Sequence, residues 1–148
     1  MGDRGHICIV DERKDGAQVR QARVYLYSHH GGWMLPFYLQ ETLRRLGPFT
    51  RPDQRPDAQH LSHRLYGEIL RMEEDLEKAL DSPWFGISGW LGDNEYPVLT
   101  VYAERRSIEL HDQRDSPTGR IWTYDEFLRL SMEPEPWSSI APEYQRFH

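Results

Sequence analysis

Six apolar residues, Leu61, Leu65, Ile69, Met72, Leu76 and Leu80, recur at spacings of 4, 4, 3, 4 and 4, while Glu73, Glu74, Asp75, Glu77 and Lys78 fill positions between them. A period near 3.6 puts the stripe on one face of a helix and the charges on the other. The stretch from about Ala58 to Leu80 is therefore expected to be an amphipathic helix that needs a surface to cover. A shorter helix precedes it, because Leu35, Leu39, Leu43 and Leu46 follow the same rule at spacings of 4, 4 and 3. Pro36 suits its first turn, where a missing N–H does no harm, and Gly47-Pro48 stops it. Two helices with one apolar face each demand a partner layer.

The flanking segments supply that layer as strands. His6 to Asp11 predicts a first strand, and Asp15-Gly16 is a turn signal because glycine accepts positive φ. Val19 to Ser28 predicts the returning strand. Within it Val24, Leu26 and Ser28 alternate with Tyr25, Tyr27 and His29, so both faces carry bulky groups and the strand should be central. Residues 48–57 hold Pro48, Pro52 and Pro56 and are expected to be a surface loop. After Ser82-Pro83, Trp84 to Leu91 predicts a strand interrupted by glycine, Gly92 to Glu95 a hairpin turn, and Pro97 to Glu104 a β-branched and aromatic strand. Arg105-Arg106 turns the chain into a further strand at Ile108, Leu110 and His111. Thr123 followed three residues on by Glu126 has capping-box spacing and opens a short helix through Phe127, Leu128 and Leu130.

The resulting order, ββααβββα, argues for an α+β fold. The expectation is a mainly antiparallel sheet of about five strands, with two central helices on one face and a short C-terminal helix. Beyond Ser131 the composition shifts to Pro, Glu, Trp and Ser. We divide the chain into a single α+β domain over 1–131 and a C-terminal tail over 132–148, in which Trp137 either packs back or offers an extended peptide. No internal repeat of solenoid length occurs.

Composition narrows the function. A chain of 148 residues with five Trp and eight Tyr can bury a self-sufficient core. Its net charge of −6 disfavours broad nucleic-acid binding and anionic membranes. The run Ile7-Cys8-Ile9-Val10 is too short for a signal core or a membrane span, so a cytoplasmic location is expected. Cys8 is the only cysteine, which removes intramolecular disulfides and cysteine clusters.

Motifs for known chemistry are sparse. Gly86-Ile87-Ser88-Gly89 lacks nucleophile-elbow spacing, and neither a Walker loop nor a dinucleotide fingerprint is present. Cys8 sits in an apolar strand, where a small core residue is the better reading. His60 and His63 fall on the solvent face of their helix without the i, i+4 spacing and intervening Glu of a zinc helix. No metal and no cofactor is assigned. The most unusual stretch is Ser28-His29-His30-Gly31-Gly32-Trp33. It sets two imidazoles, a hydroxyl and a relaxed backbone before a helix start, where N–H groups and the helix dipole favour an anion. The same residues are also ordinary strand-to-helix turn chemistry.

The segments Val24-Tyr25-Leu26-Tyr27-Ser28-His29, Gly31-Gly32, Leu35-Pro36, Phe85-Gly86-Ile87-Ser88, Asp93-Asn94-Glu95-Tyr96-Pro97 and Trp122-Thr123-Tyr124-Asp125-Glu126-Phe127 resemble a family of small proteins from bacteria and their phages. The similarity covers about residues 2–130 and includes the opening Met1-Gly2-Asp3-Arg4, where typical members have Met-Gly-Asn-Arg. It implies a bacterial or mobile-element setting and no activity. Typical members carry His-Trp where this chain has His29-His30, so the resemblance leaves only His29 in the shared motif and speaks against a two-histidine metal site.

These readings converge on a small accessory or inhibitor-like binding protein. Its expected binding residues are Ser28, His29, His30, Gly31, Gly32, Trp33, Trp90, Asp93, Asn94, Glu95 and Tyr96, and the expected partner is a protein or a phosphorylated small molecule. The alternative is a phosphodiesterase or other hydrolase with His29 as general base, His30 assisting and the helix start holding an oxyanion. Self-association through a sheet edge or the second helix stays open, since homodimers are the commonest soluble oligomers.

Overall fold

The computed structural model describes residues 3–47, 57–73 and 84–143. The chain runs β1 (Gly5–Asp15), β2 (Gln18–Ser28), a 3-10 turn (Gly32–Met34), α1 (Leu35–Leu46), α2 (Ala58–Glu73), β3 (Phe85–Ser88), β4 (Val98–Tyr102), β5 (Ser107–His111), β6 (Pro117–Thr123) and α3 (Tyr124–Leu128). The fold is α+β, with one mixed sheet of six strands in the order β3-β2-β1-β4-β5-β6. Every neighbouring pair is antiparallel except β1 and β4, which run parallel.

Three features depart from expectation. β6 is an additional strand that hydrophobic patterning misses, because Pro117, Gly119 and Arg120 interrupt it and nearly all of it is exposed. Such residues are tolerated at a sheet edge, where one side of the backbone needs no partner. The predicted Trp84–Leu91 strand contracts to Phe85–Ser88, and Gly92 to Glu95 do not form a hairpin turn. β3 pairs with β2 while β4 pairs with β1, so the segment between them crosses the ends of two strands instead of reversing on itself. That crossover makes the β1–β4 pair parallel. The loop expected over 48–57, apart from Asp57, and the last turns of the long helix lie outside the described residues.

The β1–β2 hairpin is longer than patterning suggests. It turns at Gly16 (φ 64°), and all eleven residues of β1 find partners in β2. β4 pairs only with Ile7 to Val10, and β3 only with Tyr25 to Ser28, so the distal half projects as a two-stranded ribbon. β2 is interior where it is paired on both sides.

Strand alternation divides the core. Ile7, Ile9, Leu26, Leu99, Val101, Ile108 and Leu110 face the helices, where they meet Leu35, Leu39 and Leu43 of α1 and Leu61, Leu65 and Ile69 of α2. The leucine stripe of each helix is thus the buried face, as its period requires. The Gln40 amide donates to the carbonyls of Phe127 (3.1 Å) and Leu130 (2.9 Å), tying α1 to the end of α3. The capping box of α3 forms, with Thr123 and Glu126 each accepting from the other's backbone N–H. Residues after Ser131 join the same core. Trp137, Ile140 and Ala141 are buried in it, and the Trp137 indole stacks on Tyr96 at 5.6 Å.

Candidate functional site

Because β1 and β4 run parallel and their neighbours run against them, one end of the sheet collects the starts of β1 and β4 with the ends of β2 and β5. The Ser28–Trp33 loop, the 89–97 crossover and the 112–116 loop all emerge there. The topology therefore brings the two sequence-predicted segments to the same end, although 60 residues separate them in the chain.

Their residues divide into scaffold and surface. Ser28 is fully buried and its Oγ accepts the Gly31 N–H at 2.9 Å. Gly32 donates its N–H to the Asp3 carbonyl (2.8 Å), and its carbonyl accepts the Trp137 indole N–H (3.1 Å). A Cβ on Gly32 would lie 2.6 Å from the Tyr96 ring and 2.7 Å from the Asp3 carbonyl, so only glycine fits. Met34 N–H is held by the Gly31 carbonyl at 3.0 Å. Tyr96 is buried and its hydroxyl donates to the Asp3 carboxylate. Asn94 is a clip as well. Its amide nitrogen donates to the Tyr96 carbonyl (2.5 Å) and to the Gln113 carbonyl (3.1 Å), leaving its oxygen to accept from His6 Nδ1 at 3.1 Å. Trp33 is half-buried against the helix-side core.

What reaches solvent is a narrower set. His30 is exposed and His29 half-exposed, their rings 4.6 Å apart and edge-on. Both rings lie against Trp84, His29 at 4.3 Å and His30 at 5.4 Å. Trp90 is 82% exposed, Ile87 60% and Trp84 43%. Asp93 and Glu95 form loose ion pairs with Arg4 at 3.7 and 3.9 Å. Trp84 and Ile87 were not singled out as surface residues from sequence; the signal for them was present in the uncharged run around β3.

His29 Nδ1 and the Tyr27 hydroxyl share a hydrogen bond of 2.7 Å, and burial raises the Tyr27 pKa, so that hydroxyl stays protonated. Desolvation, followed by the nearby His30 and Arg4, holds the His29 pKa below the ordinary histidine value. His29 is thus biased toward the neutral imidazole.

The sheet face away from the helices carries a second, closed cluster that sequence reasoning did not assemble. Cross-strand register lines up Tyr25, Cys8, Thr100 and Glu109 in one row and Tyr27, His6, Val98 and His111 in the next. Asp115, at φ 67°, reaches in from the 112–116 loop. One of its carboxylate oxygens accepts from the Tyr25 hydroxyl and the other from His111 Nδ1 at 2.7 Å. His111 Nε2 stands 3.5 Å from Glu109. Burial pulls the His111 pKa down, but the Asp115 hydrogen bond and the two carboxylate charges outweigh it and leave the value raised. Burial likewise pushes the Cys8 thiol up to about 11, so it is an inert core residue. Only the i, i+2 alternation of Tyr25 with Tyr27 and of Glu109 with His111 hinted at this face; Asp115 had no sequence signal.

Among the described residues no three or more His, Cys, Asp and Glu side chains converge as metal ligands would, and no helix is long and apolar enough to cross a membrane. His60 and His63 are exposed on α2. In comparisons with known proteins, no family model, no curated protein and no solved structure matches this chain.

Proposed function

We propose that this protein acts by binding another protein, through the corner built by His29, His30, Trp84 and Trp90. The observation that carries this reading is the concentration of exposed bulk. Trp90, Ile87 and Trp84 expose 82%, 60% and 43% of their surface within the single segment 84–90. One exposed apolar residue is unremarkable on any protein, but two exposed indoles in one short segment beside a histidine pair have the composition of an interface hot spot.

The hydrogen bonding of the loop favours a protein over a phosphorylated small molecule. The N–H groups of Gly31, Gly32 and Met34, which would cradle an anion, are already taken by Ser28, Asp3 and Gly31. The same economy disfavours the hydrolase alternative. That reading needs helix-start N–H groups to hold an oxyanion, and those of Gly31, Gly32 and Met34 are spent within the loop.

The test is selection of a displayed peptide or domain library on the wild-type protein, followed by affinity measurement on Trp90→Ala and His30→Ala. Loss of a hot-spot indole should weaken a selected ligand by about 30-fold or more. Trp90→Ala should leave stability within about 0.5 kcal/mol of wild type, as for exposed positions generally. Ligands that bind both variants as well as wild type would refute the assignment of this corner.

A further inference from the structure

We propose that the 89–97 crossover and the 112–116 loop form a proton-controlled latch across the sheet face away from the helices, closed while His111 is charged and His6 is neutral. The latch sets how the crossover presents Trp90, so it deepens the protein-binding reading above and rests on it. Each segment is fastened at two points. The 112–116 loop is a tight turn around the Asp112 carboxylate, which accepts the N–H groups of Arg114 (2.8 Å) and Ser116 (3.0 Å). Asp115 carries it down onto the sheet, where its carboxylate accepts from the Tyr25 hydroxyl and from His111 Nδ1 at 2.7 Å. Gln113 carries it sideways onto the crossover: its amide donates to the Glu95 carbonyl at 2.8 Å, and its own carbonyl accepts from Asn94 at 3.1 Å. The crossover in turn lays Leu91 against the cluster of Cys8, Val10, Tyr25, Val98 and Tyr102, and Asn94 accepts from His6 Nδ1 at 3.1 Å. The two segments are thus tied to each other, and each is tied to the sheet through one buried histidine.

Their surroundings favour opposite protonation states. His111 faces Asp115 from the loop and Glu109, 3.5 Å away, on its own strand. From β4 come Val98 and Thr100, from β6 Pro117, and from β1 His6 and the neutral Cys8 thiol, while Tyr25 and Arg23 of β2 act on Asp115. Without its second proton, His111 turns a lone pair toward Glu109, and the Asp115 anchor falls from a doubly charged hydrogen bond to a weaker one. His6 lies among the rings of Tyr25 and Tyr27, at 6.3 and 5.0 Å, with Asp115 and Asp93 acting on it only as charges at a distance. Its Nδ1 already donates to Asn94, so a second proton must enter at Nε2, which faces Gly92 where a Cβ would stand 3.7 Å away. A buried imidazolium with no carboxylate bonded to it is costly. Burial lowers the His6 pKa for that reason, whereas at His111 the effect of burial is outweighed by the two carboxylates and the value is raised. The closed window therefore straddles the ordinary histidine value of 6.5. The latch loosens above it as His111 gives up its proton, and below it as His6 takes one.

Nuclear magnetic resonance of the full chain, titrated from about pH 5 to about pH 9, tests this. The imidazole signals report the two protonations, and the backbone amides of Leu91, Gly92, Asn94 and Gln113 report the latch. Those amides should shift with two midpoints, the upper matching His111 and the lower matching His6. His111→Gln should remove the upper midpoint and keep the lower, and His6→Gln should do the reverse. A histidine with a merely structural role would change stability without giving the crossover amides its own midpoint. Should either variant fail to fold, Gln113→Ala decides instead, because position 113 is exposed. Cutting its bond to Glu95 should shrink the upper shift at Leu91 and Gly92 while leaving that of Asp115 intact. A ligand selected through Trp90 at about pH 6.5 should bind wild type at least about fivefold more weakly at about pH 8.5, and His111→Gln should flatten that difference. Crossover amides that stay still, midpoints that survive both histidine substitutions, or a Trp90 ligand whose affinity ignores pH would each overturn the latch. Still amides together with a Trp90-dependent ligand would sink the latch and leave the protein-binding reading in place. Amides that titrate as expected, with no ligand selected at any pH, would support the latch and sink that reading.

Discussion

Trp137→Ala probes whether the segment after Ser131 belongs to the cooperative fold. The indole is 2% exposed, stacks on Tyr96 at 5.6 Å and donates to the Gly32 carbonyl at 3.1 Å. A buried indole covers roughly 200 Å², which at about 25 cal/mol per Å² sets an upper limit near ~5 kcal/mol. Alanine keeps the Cβ and the site collapses in part, so aromatic-to-alanine changes in cores cost about 3–5 kcal/mol. The lost hydrogen bond adds about 1 kcal/mol or less, because the Gly32 carbonyl retains the Leu35 N–H as a donor. The expected loss is therefore about 3–5 kcal/mol, a large share of the ~5–15 kcal/mol that holds a typical domain together. Urea unfolding followed by far-ultraviolet circular dichroism measures it. Trp137→Phe should keep most of the stack and cost about 1–2 kcal/mol. A loss below about 1 kcal/mol for Trp137→Ala, at an unchanged denaturant slope, would show that this segment unfolds independently and that the reasoning fails.

Gly32→Ala should cost about 1–3 kcal/mol by the same assay, since its Cβ meets the Tyr96 ring and a backbone oxygen below 3 Å; a neutral outcome would mean that the contact relaxes freely. Thr123→Ala removes the acceptor that caps the Glu126 N–H and should cost about 1 kcal/mol, with Thr123→Ser recovering most of it. The raised pKa of His111 means that the folded state binds its proton more tightly than the unfolded state. Its contribution is therefore complete below the ordinary histidine value and lost as pH rises through the raised one. The stability difference between wild type and His111→Gln should shrink from about pH 6 upward, and a difference that grows with pH would contradict the assigned network. His6 acts in the opposite sense, because burial foremost lowers its pKa and its contribution fades as pH falls. Single-site comparison is needed to separate the two.

How much could be foreseen follows from the range of each interaction. Helix α1, the turn at Gly16 and the capping box of α3 are encoded within a few residues, so leucine spacing, a glycine after an aspartate and a Thr-x-x-Glu pattern suffice to place them. The sixth strand escaped because an edge strand need not be apolar, and its register comes from β5 and not from its own pattern. The loop at Ser28–Trp33 was visible as an oddity, but its division of labour was not. Whether a glycine, a serine or an asparagine faces solvent or holds two loops together depends on Asp3, Tyr96 and Gln113, residues distant in the chain.

The sequence by itself determined the amphipathic helices, the alternation of the interior strands and the absence of familiar catalytic motifs, because periodicity and local turn chemistry are properties of neighbouring residues. Tertiary structure alone decided that β3 and β4 part to opposite sides of the β1–β2 pair. That one crossover makes the sheet mixed, brings the 89–97 segment to the His29 loop and leaves β3 as the last strand of the sheet among the described residues. The cluster of Tyr25, His111 and Asp115 is likewise assembled from two segments distant in the chain, β2 and the end of β5 with its loop. Strand order is set by which edges bury the most apolar surface against the helix layer, a sum over the whole chain that no local pattern contains.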